Sequence, residues 1–118
     1  MIKIAYIAGP MTGELCNFPA FDEARDTLTE IGYKVISPAD LDRKAGFNPQ
    51  SSTVDKKFLD QAMARDLAAL QLVDTLFMLP GWKKSTGATA EYHLARWRHI
   101  PIFEYPSFKQ ISKQHHTL

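Results

Sequence analysis

The chain has 118 residues, 45 % of them apolar and 23 % charged, with fourteen basic side chains against thirteen acidic ones and a net charge of +1. This fits one soluble domain that buries a core without disulfides or metal, and neither sign of charge dominates enough to favour a nucleic-acid polymer or an anionic membrane as partner. No apolar run approaches the roughly 18 residues of a membrane-spanning helix, the opening MIKIAYIAGP lacks the features of a secretory signal, and Cys16 has no second cysteine to pair with, so the expected compartment is the cytoplasm.

Lys3 to Ala8 reads as a strand rich in β-branched and aromatic residues, and it stops at Gly9-Pro10. A loop, residues 9–17, leads to a helix opened by Pro19, with Phe21, Ala24, Leu28 and Ile31 on one face and Gly32 as its cap. Tyr33 to Ser37 is a second strand, closed by Pro38. Residues 39–53 read as a long polar loop, of the kind that is more often functional than idle. A helix then runs to about Leu72, capped by Ser52 or Thr53 with Asp55 in its first turn and an apolar stripe of Leu59, Met63, Leu67 and Leu70. Asp74 to Leu79 is almost wholly apolar, as suits a strand covered on both faces. It ends at Pro80-Gly81, before a helix from about Thr86 to His99 and a fourth strand from Pro101 to Glu104. Residues 106–118 read as a polar, frayed tail that ends in His115-His116-Thr117-Leu118.

The alternation of strands and helices predicts a single-domain α/β fold, a Rossmann-like or flavodoxin-like three-layer sandwich around a parallel sheet of four to five strands. Ligands of such sheets sit beyond the carboxyl ends of the strands. That places the chemistry in residues 9–17, 37–42 and 80–87 and in the helices that follow them.

Four features there carry chemistry. Ser85-Thr86-Gly87 precedes a helix whose free N–H groups suit an anion or sugar hydroxyls, and it lacks the Glu or Gln that would make it a capping box. Glu91 lies in the second turn of that helix, on its packed side, where the helix dipole favours the ionised form; a carboxylate is seldom buried there without a partner. Asp66 faces the same way as the stripe of its helix, and serves either a structural ion pair or a site. Arg65 beside it points elsewhere or folds back as its partner. Tyr6, near the end of the first strand, either packs in the core or sends its hydroxyl to the site. Trp82, Lys83 and Lys84 are candidates for a pocket mouth. Cys16 reads as a small buried or loop thiol. His93, His99, His115 and His116 lack metal-ligand spacing, so neither a metal nor an organic cofactor is expected.

Together these residues resemble the nucleoside 2-deoxyribosyltransferase superfamily. The likeness rests on Tyr6-Ile7-Ala8-Gly9-Pro10-Met11-Thr12-Gly13, Asn17-Phe18-Pro19-Ala20-Phe21, Arg65-Asp66-Leu67, and the stretch from Asp74 to Gly87 followed by Glu91. It extends over about residues 3–104, within a domain read as residues 1–105, and is nearest to small phage and bacterial proteins beside the 2'-deoxynucleoside 5'-monophosphate N-hydrolases. The resemblance implies that Glu91 attacks C1' of a deoxyribose, that Asp66 binds the sugar and assists proton transfer to the leaving base, and that Tyr6 positions the nucleophile. It further implies that Gly9, Met11, Thr12, Asn17, Ser85 and Gly87 bind substrate, and that the protein is a homodimer or larger. The hydrolase branch holds its 5'-phosphate with an arginine in the first loop. Met11-Thr12-Gly13 stand there in this chain, which leaves Lys83 and Lys84 as substitutes.

The expected activity is cleavage of the N-glycosidic bond of a 2'-deoxynucleoside or its 5'-monophosphate, with the base released to water or exchanged for another. The alternatives are a protein that binds or sequesters a nucleotide without breaking it, and an oligomeric scaffold that uses Trp82, Trp97 and Phe108 at interfaces.

Overall fold

The computed structural model describes residues 2–112. Five strands form one sheet in the order β2-β1-β3-β4-β5: β1 (Ile4–Ala8), β2 (Lys34–Ile36), β3 (Thr75–Met78), β4 (Ile102–Glu104) and β5 (Gln110–Ser112). The first four are parallel, and β5 runs antiparallel to β4. Four helices connect or cover them: α1 (Phe18–Ile31), α2 (Pro38–Lys44), α3 (Lys56–Leu70) and α4 (Thr86–Trp97). This is the expected doubly wound α/β sandwich, and among the described residues no helix is long and apolar enough to cross a membrane.

Side-chain alternation along the central strands builds both faces of the core. Ala5 and Ile7 of β1 and Phe77 of β3 meet Phe18, Phe21, Ala24 and Leu28 of α1 and Ala39 of α2. Tyr6, Ala8, Leu76 and Met78 point the other way, toward Leu70 of α3 and Ala88 and Ala95 of α4. The strand order reverses between β1 and β3, so the connections from their carboxyl ends leave on opposite faces and open a crevice there.

Several local expectations are corrected. The long polar loop contains α2, whose start is set by Ser37, its Oγ accepting from Ala39 N–H, and by Pro38 in the first turn. Asp55, not Ser52 or Thr53, caps α3, its carboxylate accepting from Phe58 N–H at 2.8 Å. The inward stripe of α3 is Ala62, Asp66 and Leu70, while Leu59 is 55 % exposed; the small Ala62 and polar Asp66 hide that stripe from a search for large apolar residues. Ile31, at the end of the α1 face, is exposed as well. Part of the presumed tail is β5, held by pairing with β4 and by Phe108 packing edge-on against Phe77. His115 and His116 lie outside the described residues. Trp82 is buried against Tyr92 rather than offered to an interface, whereas Trp97 is 74 % exposed.

Candidate active site

A cleft of about 200 Å³ opens at the reversal point, lined from the first loop, α2, the segment that joins it to α3, α3 and the start of α4. It collects most of the residues singled out from the sequence: Gly9, Met11, Thr12, Asp66, Ser85, Gly87 and Glu91. Tyr6 lies beneath them, fully buried, and donates its hydroxyl proton to Glu91 Oε2 at 2.5 Å. The contact spans 85 positions in sequence. It exists because β1 points Tyr6 at the α4 face while α4 turns Glu91 inward.

The backbone keeps this region tight. A Cβ on Gly9 would fall 2.7 Å from Leu79 Cβ, so only glycine lets β1 leave the sheet along this path. Gly87 opens α4 where a Cβ would press on the Met63 methyl at 3.1 Å, within the cleft lining. Ser85 caps α4, its Oγ accepting from Ala88 N–H at 3.1 Å.

Asn17 is the exception among the expected substrate contacts. It does not line the cleft but donates from Nδ2 to the Pro10 carbonyl at 2.8 Å, bracing the first loop from behind. Leu15, Cys16 and Asn17 occupy the left-handed region in succession, with φ of 54°, 53° and 61°. Each such residue costs about 1–2 kcal/mol unless its surroundings compensate, and the Asn17 brace is one compensation. Cys16 faces the cleft, its thiol pKa raised by burial and by the nearby Asp42 carboxylate. Lys83 and Lys84 line a different cavity, with Pro80, Trp82 and Tyr105, so they do not replace an arginine here.

Burial governs the electrostatics. Glu91 is 4 % exposed and its pKa is raised to about 8, chiefly by desolvation and also by Asp66, with the Tyr6 hydrogen bond opposing. The helix dipole favours the ionised form by about 1 kcal/mol, and burial of the carboxyl outweighs that, so the net shift is upward. Asp66, 7 % exposed, is raised to about 7 by burial and by Asp42, against the pull of Arg65 and Tyr6. Tyr6 itself is pushed well above its ordinary value by burial and by the two carboxyl groups.

Asp42 was not singled out from the sequence, although it closes one of the three loops where chemistry was expected. It is 2 % exposed at the end of α2, lines the cleft, and its Oδ1 accepts from Arg65 Nη2 at 3.2 Å. Arg65 therefore folds back, but onto Asp42 rather than onto Asp66. The signal that could have found Asp42 was the unread helix: with Pro38 in the first turn, Asp42 falls one turn later on the same side as Ala39. Among the described residues the buried side-chain atoms without a partner are Arg65 Nε and Asp66 Oδ1. A buried carboxyl oxygen left open in a cleft is a group waiting for a ligand's donor.

Fold and cleft define a doubly wound α/β protein with paired buried carboxyl groups at the switch point. Residues 3–104 match a family described as a domain of unknown function, DUF4406, and the chain belongs to that family. No curated protein and no solved structure matches it.

Proposed function

We propose that the chain cleaves the N-glycosidic bond of a 2'-deoxynucleoside or its 5'-monophosphate, with Glu91 as nucleophile and Asp66 as acid and base. The observation that carries this reading is the buried Tyr6–Glu91 hydrogen bond of 2.5 Å with Asp66 beside it in the same cleft. Pure binding of a neutral ligand has no use for two carboxyl groups that titrate near neutrality. The sequence resemblance to nucleoside 2-deoxyribosyltransferases supports the same assignment, and supports a homodimer or larger assembly.

The chemistry follows from the residue types. Glycosidic cleavage builds positive charge on the sugar, and an ionised carboxylate beside C1' stabilises it and traps it. Glu91 Oε forms a bond to C1' as the C1'–N bond breaks, and the electron pair leaves with the base, which takes a proton from Asp66. Water then attacks C1', Asp66 accepts its proton, and Glu91 is released; a second base in place of water gives exchange. Each turnover needs one proton on the pair and one charge, so the rate falls when both groups are protonated and when both are ionised. The two apparent pKa values belong to the pair. Tyr6, which favours charge on Glu91, is the positioning group.

The test is chromatography of free base from 2'-deoxynucleosides and their 5'-monophosphates, with and without an acceptor base, beside Glu91→Ala. Base release that disappears in the variant supports the reading. Silence across the panel combined with ligand-induced stabilisation favours a binding protein instead.

A further inference from the structure

The mechanism leaves one end of the cleft unused. Asp42 lies there with Phe47 and Phe58, whose rings stack at 4.3 Å and 22° between planes. Phe47 is braced in turn by Phe18, with centroids 6.1 Å apart. The result is a flat apolar wall beside a buried carboxylate whose direction is set by Arg65 from α3. Asp42, Asp66 and Glu91 all line the cleft, and Asp66 is coupled to both of the others: Asp42 raises its pKa, and it raises that of Glu91. Asp66 lines the cleft, and its Oδ1 is buried without a partner. Among the described residues the lining holds three carboxyl groups and no lysine or arginine.

We propose that this end is a base subsite that selects nucleobases presenting two adjacent N–H donors, a ring N–H beside an exocyclic amino group, with Asp42 as the specificity-determining residue. The proposal rests on the glycosidic reading above for the sugar's placement over Glu91 and Asp66. A carboxylate only accepts, and two donors side by side match its two oxygens. Burial raises the Asp42 pKa, and the Arg65 hydrogen bond and charge oppose that shift and favour the carboxylate form. A base that offers an acceptor next to its donor sets one lone pair against another, and a site built for two donors rejects it strongly. The phenylalanine wall stacks on any flat ring, so the hydrogen-bonding edge rather than ring size is what the subsite reads.

The experiment is calorimetric titration of Glu91→Gln protein, in which nucleosides stay intact, with 2'-deoxyguanosine, 2'-deoxyinosine, 2'-deoxyadenosine and thymidine. The guanine edge carries both donors, and hypoxanthine lacks the amino group. Deoxyguanosine is expected to bind tightest and deoxyinosine about tenfold or more weaker, and Asp42→Asn in the same background is expected to erase that difference. Equal affinity for deoxyguanosine and deoxyinosine overturns the proposal without any change at Asp42, so it stays testable even if the Asp42 variant does not fold. A difference that survives Asp42→Asn overturns it too, and shows the Asp42–Arg65 pair to be a structural tie between α2 and α3. Selective deoxyguanosine binding without base release by the wild-type chain keeps the subsite and removes the glycosidic reading. Absence of binding by every nucleoside and by its 5'-monophosphate, titrated in the same way, overturns both.

Discussion

Replacing Glu91 by Gln should make the protein more stable, and the gain should depend on pH. Glu91 is 4 % exposed, and burial raises its pKa from 4.5 to about 8. Between those values the folded state keeps a proton that the unfolded chain has released, so stability present below about pH 4.5 is lost as the pH rises through about 8. At ~1.4 kcal/mol for each tenfold change in acidity, the full cost of ionising Glu91 in the fold is on the order of 4–5 kcal/mol. Part of that belongs jointly to Asp66, which releases its own proton in the same range, so a gain of about 2–3 kcal/mol is expected near pH 8.5. For a domain of this size that is roughly 10 °C in Tm. Glutamine keeps a carbonyl oxygen to accept from Tyr6, so the hydrogen bond survives. Thermal unfolding of both proteins followed by circular dichroism from pH 4 to 9 is the assay. The curves should converge at the acid end and diverge at the alkaline end. An equal Tm difference at all pH values, or a variant less stable at pH 8.5, would refute the claim that burial sets the state of Glu91.

Tyr6→Phe removes the hydrogen bond that favours charge on Glu91, so the acid limb of the pH–rate profile should move upward by roughly one pH unit; an unmoved limb would exclude a positioning role. Arg65→Met leaves the buried Asp42 carboxylate uncompensated. Because Arg65 is itself partly exposed, the expected loss at neutral pH is about 1–3 kcal/mol, shrinking in acid as Asp42 takes a proton, and urea unfolding at two pH values would read it. Asn17→Gly keeps the left-handed conformation but removes the brace on Pro10, whereas Asn17→Ala loses both. Alanine should therefore be the more destabilising by about 1 kcal/mol, and equal losses would mean that the brace alone matters.

The sheet and the cleft were legible because their signals are periodic or terminal. β1 runs out at Gly9-Pro10 and β3 at Pro80-Gly81, their apolar runs demand cover on both faces, and Tyr6, Asp66 and Glu91 interrupt apolar surfaces where polar groups are costly. What escaped was short or non-local. α2 has seven residues and no apolar stripe of its own, and its cap and proline suit a strand ending equally well. β5 has three residues, one of them Ile111, and owes its place to pairing with β4. The upward shift of the Glu91 pKa could not be read from its place in α4, because the helix end argues for charge and only the fold brings the burial that argues against it. Asp42 became a site residue through Arg65, a partner 23 positions away.

The most direct measurement compares free-base release by the wild-type chain and by Glu91→Gln, over the deoxynucleoside and deoxynucleotide panel at neutral pH, after circular dichroism has shown both proteins folded. Release by the wild type, with none above background in the more stable variant, is the expected result. Equal release by the two proteins would contradict a glutamate nucleophile.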